Sequence, residues 1–333
     1  MTDRYAPPYR ITPAILHSIE QIGEALGKLR VGSDSAVVPV LRRGNRIRTV
    51  QASLAIEGNT LSLEQVTAVL AGKKVLAQPR EIQEVRNAFA AYEKLPGWVA
   101  HSRMDLLAAH GLVMAGLADE AGRFRSGGVG IQRGGKVIHV APPSERVPAL
   151  MDDLLAWLEE TDEHPLVVSC VFHYELEFIH PFDDGNGRMG RLWQTLILSR
   201  WRPIFALLPV ESIIRDRQQD YYAALVRADQ SADATDFIDF MLAAILQAIK
   251  ESVLASDQEK TLQETLQETL QKTPDRIIHM LVQDGRLSIK ELAKQIGKSP
   301  SAVQRILNKL QATQVIERVG PDKGGHWVVM EKP

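Results

Sequence analysis

The sequence is short of cysteine, of net charge and of long apolar runs, and each shortage excludes something. Its 333 residues contain one cysteine, Cys170. A single thiol cannot close an internal disulfide, so Cys170 is expected to pack as a small apolar side chain. That suits a reducing compartment, and the expected location is cytoplasmic. Formal net charge is −2, which supplies no global field drawing the chain to nucleic acid or to an anionic membrane. No apolar run is long enough to span a bilayer, and the opening Met1-Thr2-Asp3-Arg4-Tyr5 contains no apolar signal region. No membrane partner is therefore expected. Hydrophobic content of 45% and charged content of 24% are ordinary for a globular protein, and the length allows two or three domains.

Against this plain background one stretch stands out: His180-Pro181-Phe182-Asp183-Asp184-Gly185-Asn186-Gly187-Arg188-Met189-Gly190-Arg191. Before it, Val167, Val171, Tyr174 and Phe178 recur at helical spacing, and Pro181 ends that helix. Asp184-Gly185-Asn186-Gly187 is turn chemistry, and a second helix is expected over about 187–200. A Gly-Asn-Gly turn entering a helix exposes backbone N–H groups that the helix cannot satisfy, which makes an anion site. Arg188 and Arg191 add planar cations suited to phosphate oxygens. Asp184 is a hard oxygen ligand, suited to Mg²⁺ held jointly with phosphates. His180 is a candidate general base at neutral pH. Together these residues fit chemistry on a Mg²⁺-nucleotide.

The stretch resembles the signature of the Fic family, HPFx(D/E)GNGRxxR, with every fixed position matched. The similarity extends over most of the chain to about residue 250. Such proteins mostly transfer AMP from ATP to a Ser, Thr or Tyr hydroxyl of a protein. The resemblance implies that His180 takes the proton of the target hydroxyl and that Asp184 holds Mg²⁺. It implies an anion hole at Gly185, Asn186 and Gly187, outer phosphates held by Arg188 and Arg191, and Phe182 anchored in the core. Ser53-Leu54-Ala55-Ile56-Glu57-Gly58 also matches the pattern (S/T)xxxE(G/N) of an inhibitory helix in this family. Read alone, Ser53 and Glu57 share a helix face, and a carboxylate at a helix C-terminus is best left solvated. The resemblance instead implies that Glu57 pairs with Arg191 and denies it to the γ-phosphate.

The remaining elements follow in order. Thr12 caps a helix that starts at Pro13, a loop is expected over 32–39, and a helix over about 42–57 carries the inhibitory pattern. Ser62-Leu63-Glu64-Gln65 reads as a capping box, and helices are expected after Pro79 and over 103–117, where His110 reads as structural. Residues 129–132 and 136–140 alternate as strands about Arg133-Gly134-Gly135, a hairpin. By resemblance this is a flap over the site, whose first strand (Val129, Gly130 and Ile131) would pair with the target segment. Many relatives carry an aromatic residue in that strand, where Gly130 stands here. A helix over 212–228 carries Tyr221 and Tyr222, either of which the resemblance would set beside adenine. His173 reads as a core or surface residue and not as a ligand.

A helix over 236–255 should close the Fic core. The repeated Thr-Leu-Gln-Glu of 261–272 is then a linker helix or a dimerising seam, so a homo-oligomer is open. Residues 274–333 hold ten Lys and Arg against six Asp and Glu, and read as a winged helix-turn-helix. Lys298, Arg305 and Lys309 fall on or beside its second helix, so the partner is DNA or a protein.

The expected architecture is mainly α: an N-terminal helical region over 1–100, a Fic-type core with a hairpin flap over 101–255, a linker over 256–273 and the winged helix over 274–333. The expected activity is protein adenylylation, on a partner or on the protein itself, with ATP as substrate and Mg²⁺ as cofactor. Two other classes stay open. One is a nucleotide-sensing transcription regulator. The other is a Fic enzyme that transfers a different phosphate-containing group or removes AMP.

Overall fold

Periodic apolar side chains become helices along most of the chain, and caps or turns set where they stop. The computed structural model describes residues 5–30, 38–128, 130–133, 136–321 and 325–330. Two compact units divide the chain, Met1–Val253 and Leu254–Pro333.

In the first unit, α1 (Pro13–Arg30) opens as expected, with the Ile15 amide donating to the Thr12 hydroxyl at 3.2 Å. α2 (Val38–Ile56) begins before residue 42 and stops one residue short of Glu57, where Gly58 takes φ +91°. The loop expected over 32–39 falls mostly on 31–37, outside the described residues. α3 (Leu63–Leu70) carries the reciprocal Ser62–Gln65 capping box. α4 (Pro79–Lys94) and α5 (Arg103–Val113) follow. α5 is shorter than expected because the chain turns away through Gly116 at φ +69°.

β1 (Gly130–Arg133) and β2 (Lys136–Val140) pair antiparallel, Gly130 opposite Val140, with an irregularity between Ile131 and Gln132. Val129 and the turn Gly134-Gly135 lie outside the described residues. α6 (Val147–Glu160), α7 (Pro165–Ile179) and α8 (Asn186–Trp201) come next. The helix expected over 212–228 is two, α9 (Val210–Asp216) and α10 (Gln218–Ser231), broken at Arg217 with φ −116° and ψ 33°.

α7 is the centre of this unit. Leu166, Val167, Cys170, Val171, Phe172 and Leu176 are all buried, and they lie around the whole circumference rather than on one stripe. A helix apolar on all sides belongs inside other helices, and α7 packs against α6 and α8. Cys170 is inside this core, and burial pushes its thiol up to about 12, so it packs and does not react.

α11 (Thr235–Gln283) is helical through Pro274, although separate helices were expected on either side of that residue. Pro274 has no N–H to give the turn before it, and a helix tolerates that loss at a cost of about 3 kcal/mol. In the second unit, α12 (Ile289–Ile296) has a Ser288–Glu291 capping box and ends at Gly297 with φ +75°. α13 (Pro300–Ala312) is capped by Ser299, and β3 (Ile316–Val319) pairs antiparallel with β4 (His326–Val329). Ile277, Leu292, Val303, Leu307, Ile316 and Trp327 form its own core. The fold is thus mainly α, with a hairpin in the first unit and a winged helix-turn-helix in the second. Among the described residues, no helix is long and apolar enough to cross a membrane.

Candidate active site

The loop between α7 and α8 is held by side chains that point inward. His180 caps α7 in the left-handed region, at φ 50° and ψ 58°, and its amide donates to the Leu176 carbonyl at 2.9 Å. Phe182 is fully buried and stacks on His110, ring centres 3.7 Å apart. The Gly122 amide donates to His110 Nδ1 at 2.9 Å, so the ring proton is on Nε2, which donates to the Asp184 carbonyl at 3.0 Å. Burial lowers the basicity of His110, in keeping with this neutral, structural role. Asn186 is buried, and its side chain bonds both the amide and the carbonyl of Phe182, at 3.0 and 2.8 Å. Its amide group therefore closes the loop, and only its backbone is left for a ligand.

A cavity of about 530 Å³ opens over this loop, within the usual range for small-molecule sites. His180, Asp184, Gly185, Asn186, Gly187 and Arg191 line its floor, and Glu57, Glu177, Tyr221 and Tyr222 line its walls. Gly185 caps α8 at φ +88°, and the first amides of α8 face no helical carbonyl.

Arg191 is 1% exposed. Its Nε donates to Ser53 Oγ at 3.1 Å, and its Nη2 donates to the Ser53 carbonyl at 3.0 Å and to Glu57 Oε1 at 2.7 Å. Its Nη1 is buried with no partner among the described residues. Burial works against the guanidinium charge, but Glu57, Tyr221 and Glu177 more than offset this and raise its pKa. A Cβ on Gly187 would collide with Glu57 Oε1 and come within 3.1 Å of Arg191 Nη1. The Glu57 carboxylate thus lies over the first turn of α8, in the space that only a glycine leaves open.

Arg188 is held differently from Arg191. It was expected beside Arg191 on the outer phosphates, but it does not line the cavity. Asp184 lies four residues earlier, within reach along the helix start, and Arg188 Nη2 donates to it at 2.8 Å while Nη1 stands 3.7 Å from Glu84. Asp184 also accepts from the Gly185 amide at 2.6 Å and from Arg80 at 3.1 Å, and remains 45% exposed.

Tyr221 and Tyr222 both line the cavity but are not equivalent. The Tyr221 hydroxyl is buried, 3.1 Å from His173 Nε2 and 3.5 Å from Glu177 Oε1. His173 Nδ1 lies 2.9 Å from Gln194 Oε1, so Nε2 accepts the Tyr221 proton; burial takes the His173 pKa down to about 3 and keeps the ring neutral. Glu177 Oε1 is the second acceptor within reach of the same hydroxyl, at the longer distance. Burial first, and the Glu57 charge second, raise the Glu177 pKa to about 7. Tyr222 is only partly buried, and its hydroxyl reaches the Ile56 carbonyl at 3.4 Å.

Sequence reasoning missed two residues here. Glu177 could have been found, since three residues before His180 on a helix means the same face. Arg125 left no such signal. It sits 55 positions from His180, and its Nε donates to the His180 carbonyl at 2.7 Å.

The geometry combines helix-start amides, an arginine with a spare donor, an exposed carboxylate and a histidine around one cavity, a set suited to phosphate chemistry. Comparison with known proteins agrees. Residues 100–198 match the Fic/DOC family, and residues 270–317 match a winged helix-turn-helix DNA-binding family. A protein adenylyltransferase of Caenorhabditis elegans is 36% identical over 189 residues, covering 53% of this chain and 35% of the relative. A protein adenylyltransferase of Nematostella vectensis is 32% identical over 202 residues, covering 57% of this chain and 44% of the relative. The chain therefore spans less than half the length of these relatives. The crystal structure of a Fic family protein from Desulfovibrio desulfuricans is 53% identical, superposes with a TM-score of 0.76 and is covered over 99% of both chains. With that identity running through nearly the full length of both molecules, the chain belongs to the Fic family.

Proposed function

We propose that the protein transfers AMP from ATP to a hydroxyl side chain of a protein, releasing pyrophosphate, and that Glu57 restrains the reaction. The observation that carries this reading is Arg191. Its guanidinium is bound by Ser53 and Glu57 and keeps a buried, unpartnered Nη1 beside the space over Gly187 that the Glu57 carboxylate occupies. A buried donor without a partner costs about 1–3 kcal/mol, and a phosphate oxygen in that space would satisfy it. Gly185, Asn186 and Gly187 line the cavity at the start of α8, and the backbone amides of Asn186 and Gly187 suit the α- and β-phosphates.

The donor set fits Mg²⁺ as well. Among the described residues, no cluster of three or more His, Cys, Asp or Glu forms a self-sufficient metal site, but Asp184 presents an exposed carboxylate beside the phosphate space. One carboxylate shared with substrate phosphates is the usual Mg²⁺ arrangement. The ion would neutralise phosphate charge there, and Arg80 would have to give up its bond to Asp184.

His180 supplies the base. Its Nδ1 lies 3.4 Å from the Glu177 carbonyl, which can only accept, and this favours a proton on Nδ1 and a lone pair on Nε2. As the acceptor oxygen forms its bond to the α-phosphorus, Nε2 takes the hydroxyl proton and the bond to pyrophosphate breaks. Among the described residues β1 pairs only with β2, so Gly130 and Ile131 have an edge at which an extended target segment could add as a strand. Tyr222, the more accessible tyrosine, is the better candidate to meet adenine.

The test is mass spectrometry of the protein and of candidate acceptor proteins after incubation with Mg²⁺ and ATP, for wild type and Glu57→Gly. The expected product is a covalently added AMP, more abundant with Glu57→Gly. ATP consumption without any protein-bound AMP would sink the reading.

The C-terminal unit supports a second reading, a nucleotide-sensing regulator, through its match to a DNA-binding family and its excess of basic side chains. DNA binding that responds to ATP equally in wild type and His180→Ala would favour it.

A further inference from the structure

Arg125 is a buried charge beside the 180–191 loop for which the proposed reaction has no use. It is 3% exposed, and its fork reaches three separate segments. Nε donates to the His180 carbonyl at 2.7 Å, and Nη2 stands 3.4 Å from that of Ile179. Nη1 donates to Gly127 at 2.7 Å, and Nη2 also donates to Pro142 at 2.5 Å. The Arg125 amide adds a bond to the Pro181 carbonyl at 2.9 Å.

Two facts give this cluster meaning. Ile179 and His180 present the last carbonyls of α7, which the helix leaves unsatisfied and which favour a nearby cation. His180 is also held in the left-handed region, a conformation that a non-glycine residue reaches at some cost and that fixes the direction in which its side chain leaves the chain. Gly127 and Pro142, on the other arm, are the flanks of the β1–β2 hairpin, just outside Gly130 and Val140. One planar, rigid guanidinium therefore bonds the base residue and both feet of the hairpin.

We propose that Arg125 is a positioning residue that fixes the hairpin relative to His180, so that an acceptor hydroxyl carried by a strand on β1 arrives within reach of the imidazole. This rests on the reading of His180 as base and of the hairpin as docking edge. Lysine cannot replace it, since a single ammonium cannot span carbonyls on opposite sides of the fork.

The test uses the full chain carrying Glu57→Gly, alone and with Arg125→Lys or Arg125→Gln. Three quantities are read: AMP incorporation, the ATP dissociation constant by calorimetry, and amide hydrogen exchange over 124–128, 140–143 and 179–182. Arg125→Lys is expected to lower incorporation about tenfold to a hundredfold, the penalty for misplaced reacting groups. ATP affinity is expected to stay within about twofold, because the phosphate site is built from other residues. Exchange should rise in all three segments together. Arg125→Gln, which keeps planar donors, should fall between the two. Unchanged incorporation overturns the proposal. So does exchange that rises on one arm only, an ATP affinity that falls in step with incorporation, or a chain that melts without cooperativity in both variants. Should the Glu57→Gly chain itself incorporate no AMP, the proposed activity fails, and the exchange data still decide whether Arg125 joins the hairpin to His180.

Discussion

Arg191 has more donors than it uses, and Glu57, which also lines the cavity, holds one of them. One guanidinium cannot fully serve both a carboxylate and a phosphate, so relieving the competition should speed transfer. Glu57→Gly is expected to raise AMP incorporation from labelled ATP by at least about tenfold, the effect of roughly 1.4 kcal/mol of differential binding. Adding Arg191→Ala should abolish the gain, and equal incorporation by wild type and Glu57→Gly would return Glu57 to a helix-end carboxylate. His180→Ala should lower transfer by about 10²–10⁴-fold, the usual worth of a general base, with ATP affinity nearly unchanged in calorimetry. The residues behind these two predictions were legible for different reasons. Residues 180–191 are contiguous, and their turn and helix-start chemistry is written locally. Glu57 is 134 positions from Arg191 and was legible only because a second pattern matched. Arg188 was named by residue type alone, and its contact with the carboxylate four positions earlier follows from helical spacing. Arg125 and His110 act through backbone carbonyls and amides brought close by the fold, and such partners leave no mark on spacing.

At the scale of elements, α7 was legible because its apolar residues recur and Pro181 stops it, and α8 because glycines precede it. The break at Arg217 was not, since no proline or glycine marks it and the apolar rhythm runs through. α7 also carries two carboxyls into the interior. Burial raises both Glu175 and Glu177 to about 7, Glu175 while accepting from the Tyr5 hydroxyl at 2.8 Å. Folded values above the ordinary carboxylate range mean that the fold favours the protonated forms. Their contribution is full below the unfolded value and is lost as pH rises through about 7. Glu177 is faced by Glu57, Arg191, His173 and Tyr221, so its ionisation adds a second negative charge beside Glu57. Thermal melts from about pH 5 to pH 8 should therefore show a smaller loss of stability for Glu177→Gln than for wild type. Parallel curves would mean that Glu177 ionises without cost.

For the whole molecule, each of the two units contains its own apolar cluster, which is the condition for folding alone. A chain ending at Ser256 should melt cooperatively and keep its helical circular dichroism; loss of either would place the boundary elsewhere. Removing the second unit should also remove any DNA binding, measured as a mobility shift that weakens steeply with salt. The order of elements along the chain has a consequence of its own. Glu57 follows α2, near the start, whereas Arg191 belongs to α8, well past the middle. During synthesis the chain leaves the ribosome from its N-terminus, so the carboxylate and Ser53 are already outside when the loop of 180–191 emerges. On the proposed reading, the restraint has therefore left the ribosome before the phosphate site on which it acts.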